Sequence, residues 1–198
     1  MQYQKISLPI DAYLDEILNQ VQKSSTILLK ASPGSGKTTR LPWFIAKNLG
    51  FKVVVLEPRR LAAKLAAERI AQEEGLKIGQ EIGYHFRFDK KTSVDTRLIF
   101  YTEGTFLRKA TFENNLDDVD VVILDEFHER HLETDMALAW LLEQQSKRKS
   151  LKLILMSATL DTQITEHLDH PKVIEIEAKR FPIDTVYLAN QPSILNRT

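Results

Sequence analysis

The 198-residue sequence contains no cysteine, so no disulfide can staple the fold. It also lacks an excess of charge of either sign. Lys plus Arg and Asp plus Glu both number 27, a net charge of zero, which excludes bulk electrostatic attraction to nucleic acid or to a membrane surface. Any polyanion site must therefore be local. Long apolar runs are missing as well: a stretch such as Val119 to Leu124 is far shorter than the roughly 20 residues of a membrane span. Met1 to Pro9 carries neither the basic nor the apolar segment of a secretory leader,. No repeat or low-complexity tract is present. These absences lead to the expectation of one soluble, cytoplasmic domain.

Hydrophobic residues make up 43% of the chain, enough for one sizeable core. They alternate between short β-branched runs and longer stretches with helical periodicity. The runs predict strands at Thr26–Lys30, Lys52–Glu57, Ile82–Phe86, Arg97–Tyr101, Val119–Leu124, Leu151–Met156 and Lys172–Ile176. Helices are predicted at Asp11–Lys23, Lys37–Leu49, Leu61–Glu74, Glu103–Thr111, His128–Gln145 and Thr162–Leu168. Strands apolar on both faces suit a mostly parallel sheet covered by helices on both sides. In such a doubly wound α/β fold, ligands sit beyond the carboxyl ends of the strands.

Directly after the first predicted strand comes Ala31-Ser32-Pro33-Gly34-Ser35-Gly36-Lys37-Thr38-Thr39, followed by a predicted helix. This is the strand, loop and helix setting of a P-loop. Small residues let backbone N–H groups of Ser32, Gly34, Ser35 and Gly36 curl around phosphates, and the helix N-terminus adds partial positive charge. Lys37 would reach the β- and γ-phosphates of ATP or another NTP, and the Thr38 hydroxyl would face Mg²⁺. The leading glycine of the usual pattern is Ala31 here.

The run Val119–Leu124 ends in Asp125-Glu126-Phe127-His128. Asp125 would hold Mg²⁺, and Glu126 would orient or deprotonate the water that attacks the γ-phosphate. The two histidines of His128-Glu129-Arg130-His131 do not have the spacing of a zinc-protease motif,. His85, His167 and His170 stand alone. Lys147-Arg148-Lys149 reads as a solvated helix end, where cations favour the dipole.

Together with Ser157-Ala158-Thr159, the two motifs resemble motifs I, II and III of superfamily-two helicases. Glu57-Pro58-Arg59-Arg60-Leu61-Ala62-Ala63 resembles motif Ia of the DEAH group, Gly83-Tyr84-His85-Phe86-Arg87-Phe88 its GYxxRF segment, and Thr102-Glu103-Gly104 its motif Ib. The spelling is most similar to that of the bacterial HrpB-type branch, in which phenylalanine replaces the alanine of DEAH.

The resemblance implies a RecA-like P-loop domain over residues 1–182, with Lys37 and Glu126 catalytic. Thr39, Arg69 and His128 would join the phosphate loop around the nucleotide. Arg59, Arg60, Thr102 and Gly104 would contact the backbone of single-stranded nucleic acid, RNA by preference. Thr92 and Ser93 resemble a further strand-contacting hook and read equally as a plain Ser/Thr loop. Arg69 would stack on the base or serve as an ordinary surface charge. Ser157 and Thr159 would couple hydrolysis to strand movement. Lys179-Arg180-Phe181-Pro182-Ile183 resembles the segment before an interdomain linker, so residues 183–198 are expected to lead toward a second RecA-like domain that this sequence does not carry. The expected function is that of an ATP-dependent helicase motor domain. The alternative is a nucleotide-dependent nucleic-acid binder without turnover.

Overall fold

The computed structural model describes residues 6–113, 116–159, 168 and 171–177. The predicted helix over Thr162–Leu168, apart from Leu168, lies outside the described residues, as do His167, His170 and the segment 179–198.

A 3-10 turn, Pro9–Tyr13, leads into α1, Leu14–Lys23. Then follow β1 (Thr26–Ala31), α2 (Lys37–Leu49), β2 (Val53–Leu56), α3 (Arg60–Glu73), β3 (Ile82–Phe86), β4 (Asp89–Lys91) and β5 (Leu98–Tyr101). The described chain continues through α4 (Glu103–Glu113), β6 (Val121–Leu124), a 3-10 turn (Phe127–Glu129), α5 (Leu132–Lys147), β7 (Lys152–Ser157) and β8 (Lys172–Ile176). The strands form one eight-stranded sheet in the order β4-β3-β5-β2-β6-β7-β1-β8. Among the described residues only the β3–β4 pair is antiparallel, so the expected mostly parallel sheet is found.

The period of two explains why the central strands are apolar throughout. Ile27, Leu29, Val53, Val55, Ile123 and Ile154 pack under α1, α2 and α3 with Ile17, Leu41, Ile45, Ala67 and Ile70. Their neighbours Leu28, Val54, Leu56, Val122, Leu124 and Leu155 pack on the other face with Phe106 and Ala110 of α4 and Ala137 and Leu141 of α5. Both faces are dry, as a parallel sheet requires.

This layout orders the motifs. The parallel strands β5, β2, β6, β7 and β1 are consecutive in the sheet, so their carboxyl ends lie along one edge. They deliver, in turn, Thr102-Glu103-Gly104, Glu57-Pro58-Arg59-Arg60, Asp125-Glu126, Ser157-Ala158-Thr159 and the phosphate loop. With about 4.8 Å between neighbouring strands, four spacings put the two ends of this row roughly 19 Å apart.

Two expectations need correction, and one strand went unread. The helix expected from His128 starts at Leu132 instead. Glu126 (φ 48°) and Arg130 (φ 51°) are left-handed, and such residues cannot continue a right-handed helix. The short strand β4 escaped sequence reading because Asp89-Lys90-Lys91 is polar and forms a sheet edge. Arg148, read as part of a solvated helix end, donates hydrogen bonds to the carbonyls of Leu116 (2.8 Å), Asp117 (2.7 Å) and Val119. It thereby fastens the loop that enters β6, the strand carrying the acidic pair.

Candidate functional site

The phosphate loop is shaped by two glycines and by the segment before α1. Gly34 and Gly36 have φ of 78° and 90°, a region costly for any side chain. A Cβ on Gly36 would also lie 2.6 Å from Leu8 Cδ1 and 3.2 Å from Ile10 Cγ2. Ile10 donates its N–H to the Ser35 carbonyl (3.1 Å), so the 3-10 turn at Pro9–Tyr13 buttresses the loop from behind. Sequence reading missed this support, because nothing in Leu8-Pro9-Ile10 marks it as phosphate-loop backing.

Lys37, at the first position of α2, is only 4% exposed. Its Nζ lies 2.9 Å from Glu126 Oε1, 89 residues along the chain. Thr38 Oγ1 donates to Asp125 Oδ2. Asp125 is fully buried, its Oδ1 accepts the N–H of Glu126 (2.8 Å), and its own N–H donates to the Leu56 carbonyl (2.9 Å). Burial pushes its carboxyl up to about 6, against the pull of the Lys37 charge. Glu57, at the end of the adjacent β2, is pushed up to about 7 by burial and then by the charge of Asp125. Two carboxyls raised in this way on adjacent strand ends would each be stabilised in the charged form by a nearby cation.

His128 faces Ser157-Ala158-Thr159. Its Nδ1 accepts the N–H of Ala158 (3.4 Å) and lies 3.5 Å from Glu126 Oε2. Ser157 Oγ donates to the Thr159 carbonyl and accepts the Thr159 N–H (3.2 Å). The acidic motif and the segment after β7 are therefore in contact through one imidazole.

Thr39 lines a cavity of about 380 Å³ with Arg40, Trp43 and Glu73. Arg69, half-exposed on α3, donates from Nε to Glu73, which also accepts from Arg40 Nη1. Arg69 thus carries a carboxylate partner toward the phosphate-loop helix.

At the other end of the strand row, Arg59 is largely exposed, and Arg60 Nη2 lies 3.3 Å from Asp89 Oδ2 with its guanidinium over the Phe86 ring. Thr102 Oγ1 and Thr105 Oγ1 share a hydrogen bond of 2.9 Å. Gly104 has open space where a side chain would be. Thr102, Gly104, Arg87, Phe88 and Arg108 line an open cavity of about 740 Å³. Sequence reading assigned nothing to Arg108, although its position one helical turn beyond Gly104 on α4 was the available signal. Ser93 donates its N–H to Thr96 Oγ1 (2.8 Å), which makes the Thr92-Ser93 loop a self-bonded turn.

Residues 12–167 match the family model described as DEAD/DEAH box helicase. The chain is 42% identical over 186 residues to the ATP-dependent RNA helicase HrpB of Escherichia coli (strain K12), covering 92% of this chain and 23% of that protein. It is 36% identical to the ATP-dependent RNA helicase HrpA of Borreliella burgdorferi, covering 96% of this chain and 23% of that protein. It is 34% identical to the probable ATP-dependent RNA helicase DHR2 of Saccharomyces cerevisiae, covering 92% of this chain and 26% of that protein. A crystal structure of the Escherichia coli DEAH/RHA helicase HrpB superposes with a TM-score of 0.85 at 41% identity, over 90% of this chain and 23% of that one. The chain spans about a quarter of the length of these relatives.

Proposed function

Because the chain belongs to the DEAD/DEAH box helicase family, we propose that it is the nucleotide-binding motor domain of an ATP-dependent helicase that acts on single-stranded nucleic acid, RNA by preference. Residues 1–182 form this domain in our reading, and a second RecA-like domain completes the motor. The observation that carries the proposal is the pairing of Lys37 with Glu126 and of Thr38 with Asp125 across the sheet. It unites the phosphate loop and the acidic pair in one buried site.

The chemistry follows from that pairing. The backbone N–H groups of Ser32 to Gly36 and the N-terminus of α2 receive the nucleotide phosphates. Thr38 and Asp125 offer a hydroxyl and a carboxylate, hard oxygen donors that fit Mg²⁺, which would neutralise charge on the β- and γ-phosphates. An arriving γ-phosphate competes with Glu126 for the Lys37 ammonium. Freed from its partner, Glu126 takes the proton of the attacking water as the water oxygen bonds to the γ-phosphorus and the bond to the β–γ bridging oxygen breaks. His128, with Ser157 and Thr159, places the coupling segment against that carboxylate. Arg69 and Thr39 stand on the nucleotide side. Arg59, Arg60, Thr102, Gly104, Thr92 and Ser93 form the strand-contact side, where backbone contacts hold any sequence.

Steady-state ATP turnover, with and without single-stranded RNA, tests this reading on the full-length protein and on the 198-residue chain. The full-length protein is expected to show RNA-stimulated turnover. The chain alone is expected near background, because an arginine reaching the γ-phosphate from a second domain is worth about 10³ to 10⁵ in rate. Equal stimulated rates in both would sink the two-domain reading. A full-length protein that binds ATP and RNA without turnover would favour the alternative of a nucleotide-dependent binder.

A further inference from the structure

The turn after the acidic pair makes contacts that hydrolysis alone does not require. Phe127–Glu129 is one short 3-10 turn bounded by the left-handed residues Glu126 and Arg130. Consecutive side chains therefore leave it in different directions. His128 goes to Ala158. Glu129 goes to the strand-contact side, where its Oε1 lies 3.1 Å from Arg59 Nη2.

Arg59 meets a second carboxylate at the end of its own strand. Glu57 Oε1 lies 3.6 Å from Arg59 Nε and accepts the Arg59 N–H at 3.3 Å. A guanidinium presents five N–H donors in a rigid fork. Contacts at Nε and at Nη2 hold one part of that fork and leave the remainder for a phosphate, on a side chain that is 61% exposed. Glu129 is braced in turn: its Oε2 lies 3.7 Å from His131 Nε2, whose Nδ1 lies 3.8 Å from Glu103 Oε2 at the start of α4. That helix begins in the Thr102-Glu103-Gly104 segment.

We propose that Glu129 is a positioning residue for Arg59, tying the strand-contact guanidinium to the same turn that carries Glu126. The inference rests on the reading of Arg59 as a strand contact given above. When Glu126 exchanges Lys37 for the reacting water, the turn shifts and Glu129, three residues on, carries Arg59 with it. The reverse also holds by linkage: a phosphate that draws Arg59 toward the strand pulls on the turn beside Glu126. An ordinary exposed ion pair would contribute little to stability and nothing to this linkage.

The test uses the full-length protein and short single-stranded RNA, comparing Glu129→Gln, Arg59→Ala and the double variant in basal turnover, RNA-stimulated turnover and RNA affinity. Glu129→Gln keeps the side-chain shape and removes the charge. It is expected to leave basal turnover unchanged and to lower turnover at saturating RNA by about tenfold, within the usual range of coupling between sites. Adding it to Arg59→Ala is expected to change nothing further, since it acts through that arginine. Equal loss of basal and stimulated turnover would show a merely structural role and overturn the proposal. Tighter RNA binding with full stimulation would show simple charge removal and overturn it too. Effects of the two substitutions that multiply independently would break the link. If Arg59→Ala itself alters neither RNA affinity nor stimulation, the strand-contact reading of Arg59 fails, and this inference fails with it. If Arg59→Ala weakens binding while Glu129→Gln behaves as wild type, this inference alone is lost.

Discussion

The two ends of the strand row differ in how finished they are. From the β1 end to the central β6, Lys37 and Asp125 are buried, and Lys37, Thr38, Asp125 and Glu126 are already paired with one another. At the β2 and β5 end, Arg59 and Arg60 stand in solvent, each against a carboxylate at 3.1 to 3.6 Å. The first end is built for a single geometry and transmits any loss directly into chemistry. The second holds its cations in readiness and shares the work of binding among several groups, so no single loss is decisive there.

The sharpest break in that contrast comes from Glu126→Gln in the full-length protein. Nucleotide binding is expected to persist while hydrolysis falls by about 10² to 10⁴, the usual contribution of a positioned base. Single-turnover hydrolysis measures it, and a wild-type rate would remove Glu126 from the role of base. Next in size is Lys37→Ala. Loss of a buried, charge-assisted contact to phosphate is expected to weaken Mg-nucleotide binding at least about tenfold, and calorimetry showing unchanged affinity would undo the phosphate-loop assignment. At the open end, Arg60→Ala is expected to weaken RNA binding only a few-fold and to lower the salt dependence of affinity by about one phosphate contact. A loss as large as that of Lys37→Ala would show that the two ends are built alike.

The smallest effect concerns stability. Asp125 and Glu57 are held at about 6 and about 7, above ordinary values of 3.8 and 4.5. The empty folded domain therefore binds more protons than the unfolded chain between roughly pH 4 and 7, so these groups lower stability as pH rises through that window. Below it they have no such effect. Asp125→Asn, without nucleotide, is expected to raise Tm by a few degrees at pH 7.5 and by much less at pH 4.5. A gain independent of pH would mean that the buried carboxyl is not under this strain.

The parallel strands were legible because they are apolar throughout, the polar edge strand β4 was not, and the phosphate loop and acidic pair were legible because their spacing is local. What escaped was long-range or conformational. Arg148 looks like any charge at a helix end until the carbonyls of Leu116, Asp117 and Val119 are brought to it by the loop before β6. Glu129 has no meaning in sequence until Arg59, from another strand end, lies beside it. The late start of α5 depends on left-handed backbone at Glu126 and Arg130, residues whose types do not announce it. Leu8 and Ile10 look like ordinary apolar residues and turn out to fix why Gly36 must be glycine.

The left-handed backbone at Glu126 sets local strain against a buried charge pair at one position. A residue with a side chain gives up about 1 to 2 kcal/mol in that conformation, whereas glycine does not. Glu126→Gly would relieve that strain but leave the buried Lys37 ammonium without its carboxylate, and breaking a buried pair in this way costs about 3 to 5 kcal/mol, more than the strain returns. Heat resistance and turnover therefore ask for the same residue at this position, and the strained backbone is tolerated because the pair it aims outweighs it,.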